Sequence, residues 1–155
     1  MKKLLFTIAI LLLLSVGVTE AQNTSALYLR GGYSWFTGVA GAEFQIGKVG
    51  FGGGWMPTKT PLTKQNENAY GMCATLYSGN YNEDAFYLSA GYIINGYRFE
   101  DTNGAYRTEG MFGLMGGYKI ATESLDLKVG AGAGFHSEKT VFTFEITLGL
   151  NLLGL

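Results

Sequence analysis

Eight charged residues lie within runs where one parity is bulky and apolar and the other is small, polar or charged. They are Arg30, Arg107, Lys119 and Lys128 against Glu43, Glu109, Asp126 and Glu145. Bases and acids are equal in number, and the chemistry this composition suits is mutual pairing. A charge taken out of water is costly unless it meets its opposite and satisfies its hydrogen bonds. Arg30, Glu43, Lys128 and Glu145 are the expected heart of such a network, one that plugs or gates an interior. Pairing for structure alone is the competing reading of the same residues.

Other chemistry has less to stand on. His136 is the single histidine, and Ser137 beside it lacks the third group that acyl transfer needs. A structural metal site needs about four ligands, and no such grouping is spaced along the chain. Cys73 is the single cysteine, so no intrachain disulfide forms, and a buried inert thiol is expected. The glycine runs within 50–54 and 130–134 lack the strand-to-helix setting of a phosphate or dinucleotide loop. No enzyme activity and no cofactor is expected.

The elements that must position these charges are strands. The alternation has a period of two. It recurs over roughly 25–35, 38–46, 49–57, 69–79, 84–99, 105–120, 124–135 and 140–152. Gly47-Lys48, Ser78-Gly79-Asn80 and Asp101-Thr102-Asn103-Gly104 are turn signals between them. Pro57 and Pro61 fall at a strand end and in the longest loop, where no central ladder bond is lost. The expected fold is all-β, an eight-stranded antiparallel up-and-down transmembrane barrel, with both chain ends on one side.

The two faces differ in kind. Leu29, Tyr33, Trp35, Phe44, Phe51, Trp55, Met72, Leu88, Phe112, Leu127, Phe144 and Ile146 represent an extensive apolar set, with Val49 among its members. The other set holds the charges with Gln45, Thr75, Tyr77, Ser89 and Thr147, and glycine fills much of the remainder. The 24 glycines among 155 residues are about twice the usual share of roughly 7%. Glycine inside a strand weakens it, so curvature or a crowded interior must compensate. A soluble barrel would place the apolar set inside, yet eight strands enclose room for only a modest core or a small ligand. A membrane barrel places that set against lipid and the charges in the lumen, with the sheet closed so that every backbone group is bonded. Trp35, Trp55, Tyr70, Phe135 and Phe142 are expected near one interface, and Phe44, Phe51, Phe86 and Tyr118 near the other.

Residues 1–21 carry the pattern of a signal peptide: Lys2 and Lys3, an apolar stretch from Leu4 to Val18, and small residues before a cut after Ala21. The barrel domain then spans 22–155. Asn23-Thr24-Ser25 matches a glycosylation acceptor, a short pattern that arises easily by chance. The net charge of -1 gives no reason to expect a nucleic-acid partner.

The leader, the eight alternating strands, the runs Leu29-Arg30-Gly31-Gly32-Tyr33 and Met115-Gly116-Gly117-Tyr118, and the strand Thr140–Leu150 together resemble the small outer-membrane β-barrel proteins of Gram-negative bacteria, the group of the OmpA transmembrane domain and OmpX. The resemblance covers nearly all of 25–155. It implies an outer-membrane location with both ends periplasmic. It also implies outer-membrane lipid and lipopolysaccharide as surroundings, and the insertion machinery as a partner. Many of these proteins end in an aromatic residue that this machinery reads; here Leu155 is last, and Phe144 or Phe142 could take that part. Three functions follow: a structural or surface barrel without an open pore, a narrow channel for small solutes, or a soluble lipocalin-like lipid carrier.

Overall fold

The computed structural model describes residues 25–59, 66–100, 106–136 and 140–153. Eight antiparallel strands close into one barrel in chain order. They are β1 (Ser25–Tyr33), β2 (Ala40–Ile46), β3 (Val49–Lys59), β4 (Asn66–Tyr77), β5 (Ala85–Glu100), β6 (Tyr106–Ala121), β7 (Leu125–Phe135) and β8 (Thr140–Asn151). The expected leader at 1–21, the turn 101–104, Ser137 and Leu155 lie outside the described residues.

Closure runs through β1 and β8, where Leu29 faces Leu150 and Tyr33 faces Ile146. Up-and-down order puts the links after β2, β4 and β6 at one end, with both barrel termini. We call this the terminal end, and the opposite one the far end. Gly47, at φ 54, takes the first place in the two-residue link Gly47-Lys48, where a positive φ lets the ribbon turn tightly. Thr122 closes the β6–β7 link by accepting from Leu125 N–H at 3.0 Å. In β5 the register shifts between Ile93 and Tyr97, and Asn95 takes φ 57 there, the geometry of a bulge.

The apolar parity points outward. Leu29, Phe51, Met72, Leu88, Phe112, Phe144 and Ile146 are all exposed. A soluble barrel with this set inside is not the arrangement found. The other parity is buried: Arg30, Glu43, Gln45, Thr75, Ser89, Lys119, Asp126, Lys128, Glu145 and Thr147 are each at most 3% exposed. Tyr28, Tyr77, Tyr87, Ile93, Met111 and Met115 fill the space beside them. Eight strands enclose about this much side chain and no more.

Two expectations at the surface are corrected. Val49, in the apolar set, is only 5% exposed. Trp35 is not on the outer face at all: β1 stops at Tyr33, and residues 34–38 turn into the barrel. Phe36 is 2% exposed and belongs to the interior apolar cluster, with Trp35 packed against it.

Candidate functional site

The interior has two layers. The layer toward the terminal end is polar. Arg30 on β1 donates from Nε to Glu43 Oε2 at 2.6 Å, and from Nη1 and Nη2 to the two oxygens of Asp126 at 2.6 and 2.7 Å. The second contact is a bidentate fork, the strongest form of such a pair. Lys128 lies 3.4 Å from Glu43 Oε2 and 4.0 Å from Glu145 Oε1. Tyr77 donates its hydroxyl to Glu43, and Tyr87 donates to Glu145 Oε2 at 2.8 Å. Lys128 Nζ also stands 4.4 Å above the Tyr87 ring. The cluster therefore draws on β1, β2, β4, β5, β7 and β8.

Lys119 is adjacent but bonded differently. Its ammonium donates to the carbonyls of Asn80 and Tyr81, each at 2.9 Å, and faces the Tyr77 ring at 4.7 Å. Tyr28 donates to the same Tyr81 carbonyl at 2.9 Å. The β4–β5 link is thus drawn under the terminal end. Asn151 does likewise for the β6–β7 link, donating to Glu123 O at 3.0 Å.

Of the eight charges singled out in the sequence, Arg30, Glu43, Asp126, Lys128 and Glu145 meet in one cluster, and Lys119 sits beside it. Arg30 bonds Asp126 rather than Glu145, because the stagger of the closed sheet decides which side chains share a height. Glu109 is outside the cluster. It lies half-exposed beyond the β5 bulge, with His136 Nε2 at 2.5 Å from its carboxylate. The Arg107 side chain lies outside the described residues.

The layer toward the far end is apolar and centres on the turn 34–38. Ser34 Oγ accepts the N–H groups of Phe36 at 3.2 Å and Thr37 at 3.4 Å, and Gly38 N–H returns to Ser34 O at 2.8 Å. Gly32 and Gly38 bracket the turn with φ of 141° and 66°, conformations in which a side chain would be strained. Where the barrel wall comes nearest the turn it is glycine that faces it. A Cβ on Gly91 would lie 2.8 Å from the Phe36 ring, one on Gly113 3.1 Å from it, and one on Gly41 2.5 Å from Thr37 O. Gly54 and Gly71 face the turn's backbone closer still, and Gly134 faces the Trp35 ring. These glycines come from β2 through β7 and form a collar. A second group makes sockets in the polar layer: Gly117 and Gly130 at the Tyr87 hydroxyl, and Gly149 at Asp126 and Arg30. Nine of the 24 glycines serve these two fittings.

Between the layers lies Cys73. Along β4 the inward residues run Gly71, Cys73, Thr75 and Tyr77, from collar to cluster. Cys73 lies 3.9 Å from Thr75 Oγ1, which shares a 2.8 Å hydrogen bond with Ser89. A Cβ on Gly52 would touch both Glu43 and Cys73.

Sequence reasoning missed the turn, Tyr28 and Tyr87. The two tyrosines are recoverable from parity alone. The turn leaves only an indirect trace, the inward glycines of six successive strands at Gly41, Gly54, Gly71, Gly91, Gly113 and Gly134. Among the described residues, no group of three or more His, Cys, Asp or Glu is placed to hold a metal ion. No protein-family model, curated protein or solved structure matches this chain.

Proposed function

We propose that the protein is a structural outer-membrane β-barrel of the small eight-stranded kind, sealed against solutes, with its ends toward the periplasm and its outward face in lipid. One observation carries this reading: the bulky apolar residues face out while paired charges fill the interior, the reverse of a water-soluble barrel. From Leu125 to Phe135, at about 3.3 Å per residue and a tilt of about 40°, β7 rises roughly 25 Å. That height suits the apolar band of an outer-membrane barrel.

Aromatic residues gather at both rims of that band. Trp55, Tyr70, Phe112 and Phe135 stand toward the far end. Phe86 and Tyr118 pack edge to face at 5.0 Å toward the terminal end. Closure leaves no strand edge to expose bare backbone to hydrocarbon. Lipid and lipopolysaccharide are the proposed surroundings, and the outer-membrane insertion machinery the proposed partner.

A sealed role is favoured over a narrow channel because side chains occupy both layers of the bore. Cell fractionation combined with a gel of heated and unheated samples tests location and fold together. A membrane-fraction species whose mobility changes on heating is expected. Recovery as a detergent-free soluble monomer would refute the lipid-facing assignment, and steady conductance in planar bilayers would refute the seal.

A further inference from the structure

We propose that the lumen is closed twice, in series, and that the turn 34–38 is a displaceable stopper while the charge cluster is a fixed one. This rests on the sealed-barrel reading above and adds where the seal can open.

The two closures are held in different ways. The cluster is tied by ion pairs and tyrosine hydroxyls from six strands, so moving any member leaves opposite charges buried without partners. The turn is tied mostly to itself. Ser34 accepts its amides, and Gly38 bonds back to Ser34. Its backbone links to the wall are few: Gly38 stands opposite Trp55, Val39 N–H donates to Trp55 O at 2.9 Å, and Gly32 N–H on β1 donates to Val39 O at 3.2 Å. Beyond that it is held by the packing of two rings.

Three further observations favour movement. Positive-φ glycines stand at both ends of the turn, where a backbone can change direction without a side-chain clash. The six collar glycines carry no side chain to interlock with the turn, and the large side chains clustered with Phe36, among them Ile93, Met111 and Met115, are apolar and form no hydrogen bond to it. Thr37, 2% exposed, keeps its hydroxyl buried without a hydrogen-bond partner, alone in this among the described side chains. An unmet buried hydroxyl opposes the inserted state and is relieved when the turn swings out into water. The amides capped by Ser34 lose nothing in that motion, because the cap travels with them.

Cys73 is a built-in reporter, since it lies beneath Phe36 and above Glu43. Cys73 is partly buried, and with two closures in series a small charged methanethiosulfonate reagent entering from the far end must pass the turn to reach it. In the folded wild-type chain, held in detergent micelles, Cys73 should modify slowly but measurably, without loss of the heat-sensitive gel band. Phe36→Ala removes the ring that fills the collar, and labelling should then run at least about tenfold faster. Gly54→Ala places a methyl group against the Thr37 backbone and should accelerate labelling by a separate route.

Bilayer recordings complete the test. Arg30→Ala alone should stay closed, because the turn remains; Arg30→Ala with Phe36→Ala should conduct. Wild-type Cys73 that resists reagent for as long as the barrel stays folded would overturn the displaceable turn, whether or not any variant folds. So would folded Phe36→Ala labelling no faster than wild type. Conductance in Arg30→Ala alone would overturn closure in series. Failure of the wild-type chain to enter lipid would count against the membrane reading instead, since the labelling of a folded barrel still reports on the turn.

Discussion

Arg30 holds two acids at once, Glu43 on the neighbouring strand and Asp126 two strands away across the seam. All three side chains are fully buried, so the arginine acts as the counter-charge that makes the acids tolerable there. Arg30→Ala should therefore destabilise the barrel by about 3–5 kcal/mol, read from urea unfolding in detergent or lipid. Tyr77→Phe takes one donor from Glu43 and leaves the ion pairs intact. It should cost about 1–3 kcal/mol in the same assay. Equal losses from the two changes would mean that Arg30 acts by packing rather than by charge. Sequence parity reveals that these residues share a face. It does not reveal that Asp126, rather than Glu145, is the partner of Arg30, because height in a tilted sheet depends on stagger and not on position within a strand.

At the scale of elements, β8 offers the clearest test of what lies outside. Ile146 is half-exposed near mid-strand, opposite Val129 on β7 and Tyr33 on β1. Ile146→Lys should destabilise a lipid-embedded barrel by about 2–4 kcal/mol, measured by folding equilibrium in bilayers. In water the same lysine would cost almost nothing, so a neutral result would remove the lipid from the account. The strands were legible in the sequence because a period of two survives every glycine. Their ends shift by only a few residues, from 38–46 to Ala40–Ile46 and from 69–79 to Asn66–Tyr77. The turn after β1 was not legible. Tyr33 and Trp35 continue the apolar parity, and nothing local marks the backbone's entry into the barrel. The collar that receives it becomes visible only when six strands are laid side by side.

For the whole molecule, the neighbouring first and last strands matter most. Leu152 N–H donates to Leu27 O at 2.8 Å, so the chain leaves the barrel beside where it enters. A permuted chain that joins the ends of β1 and β8 by a short linker and opens at Gly47-Lys48 should still yield a heat-sensitive gel band, since permutation at an exposed turn keeps every ladder. Loss of that band would show that assembly depends on strand order as well as on the final contacts.

The fork between Arg30 and Asp126 has a meaning for assembly. It spans β1, β8 and β7, so it can form only once the first and last strands have met in the right register. A slip by one residue at that seam would turn Arg30 to the outer, apolar face and leave Asp126 without its partner inside. The pair thus works as a checksum on closure, penalising a misaligned sheet at the last step, when no later strand remains to correct it.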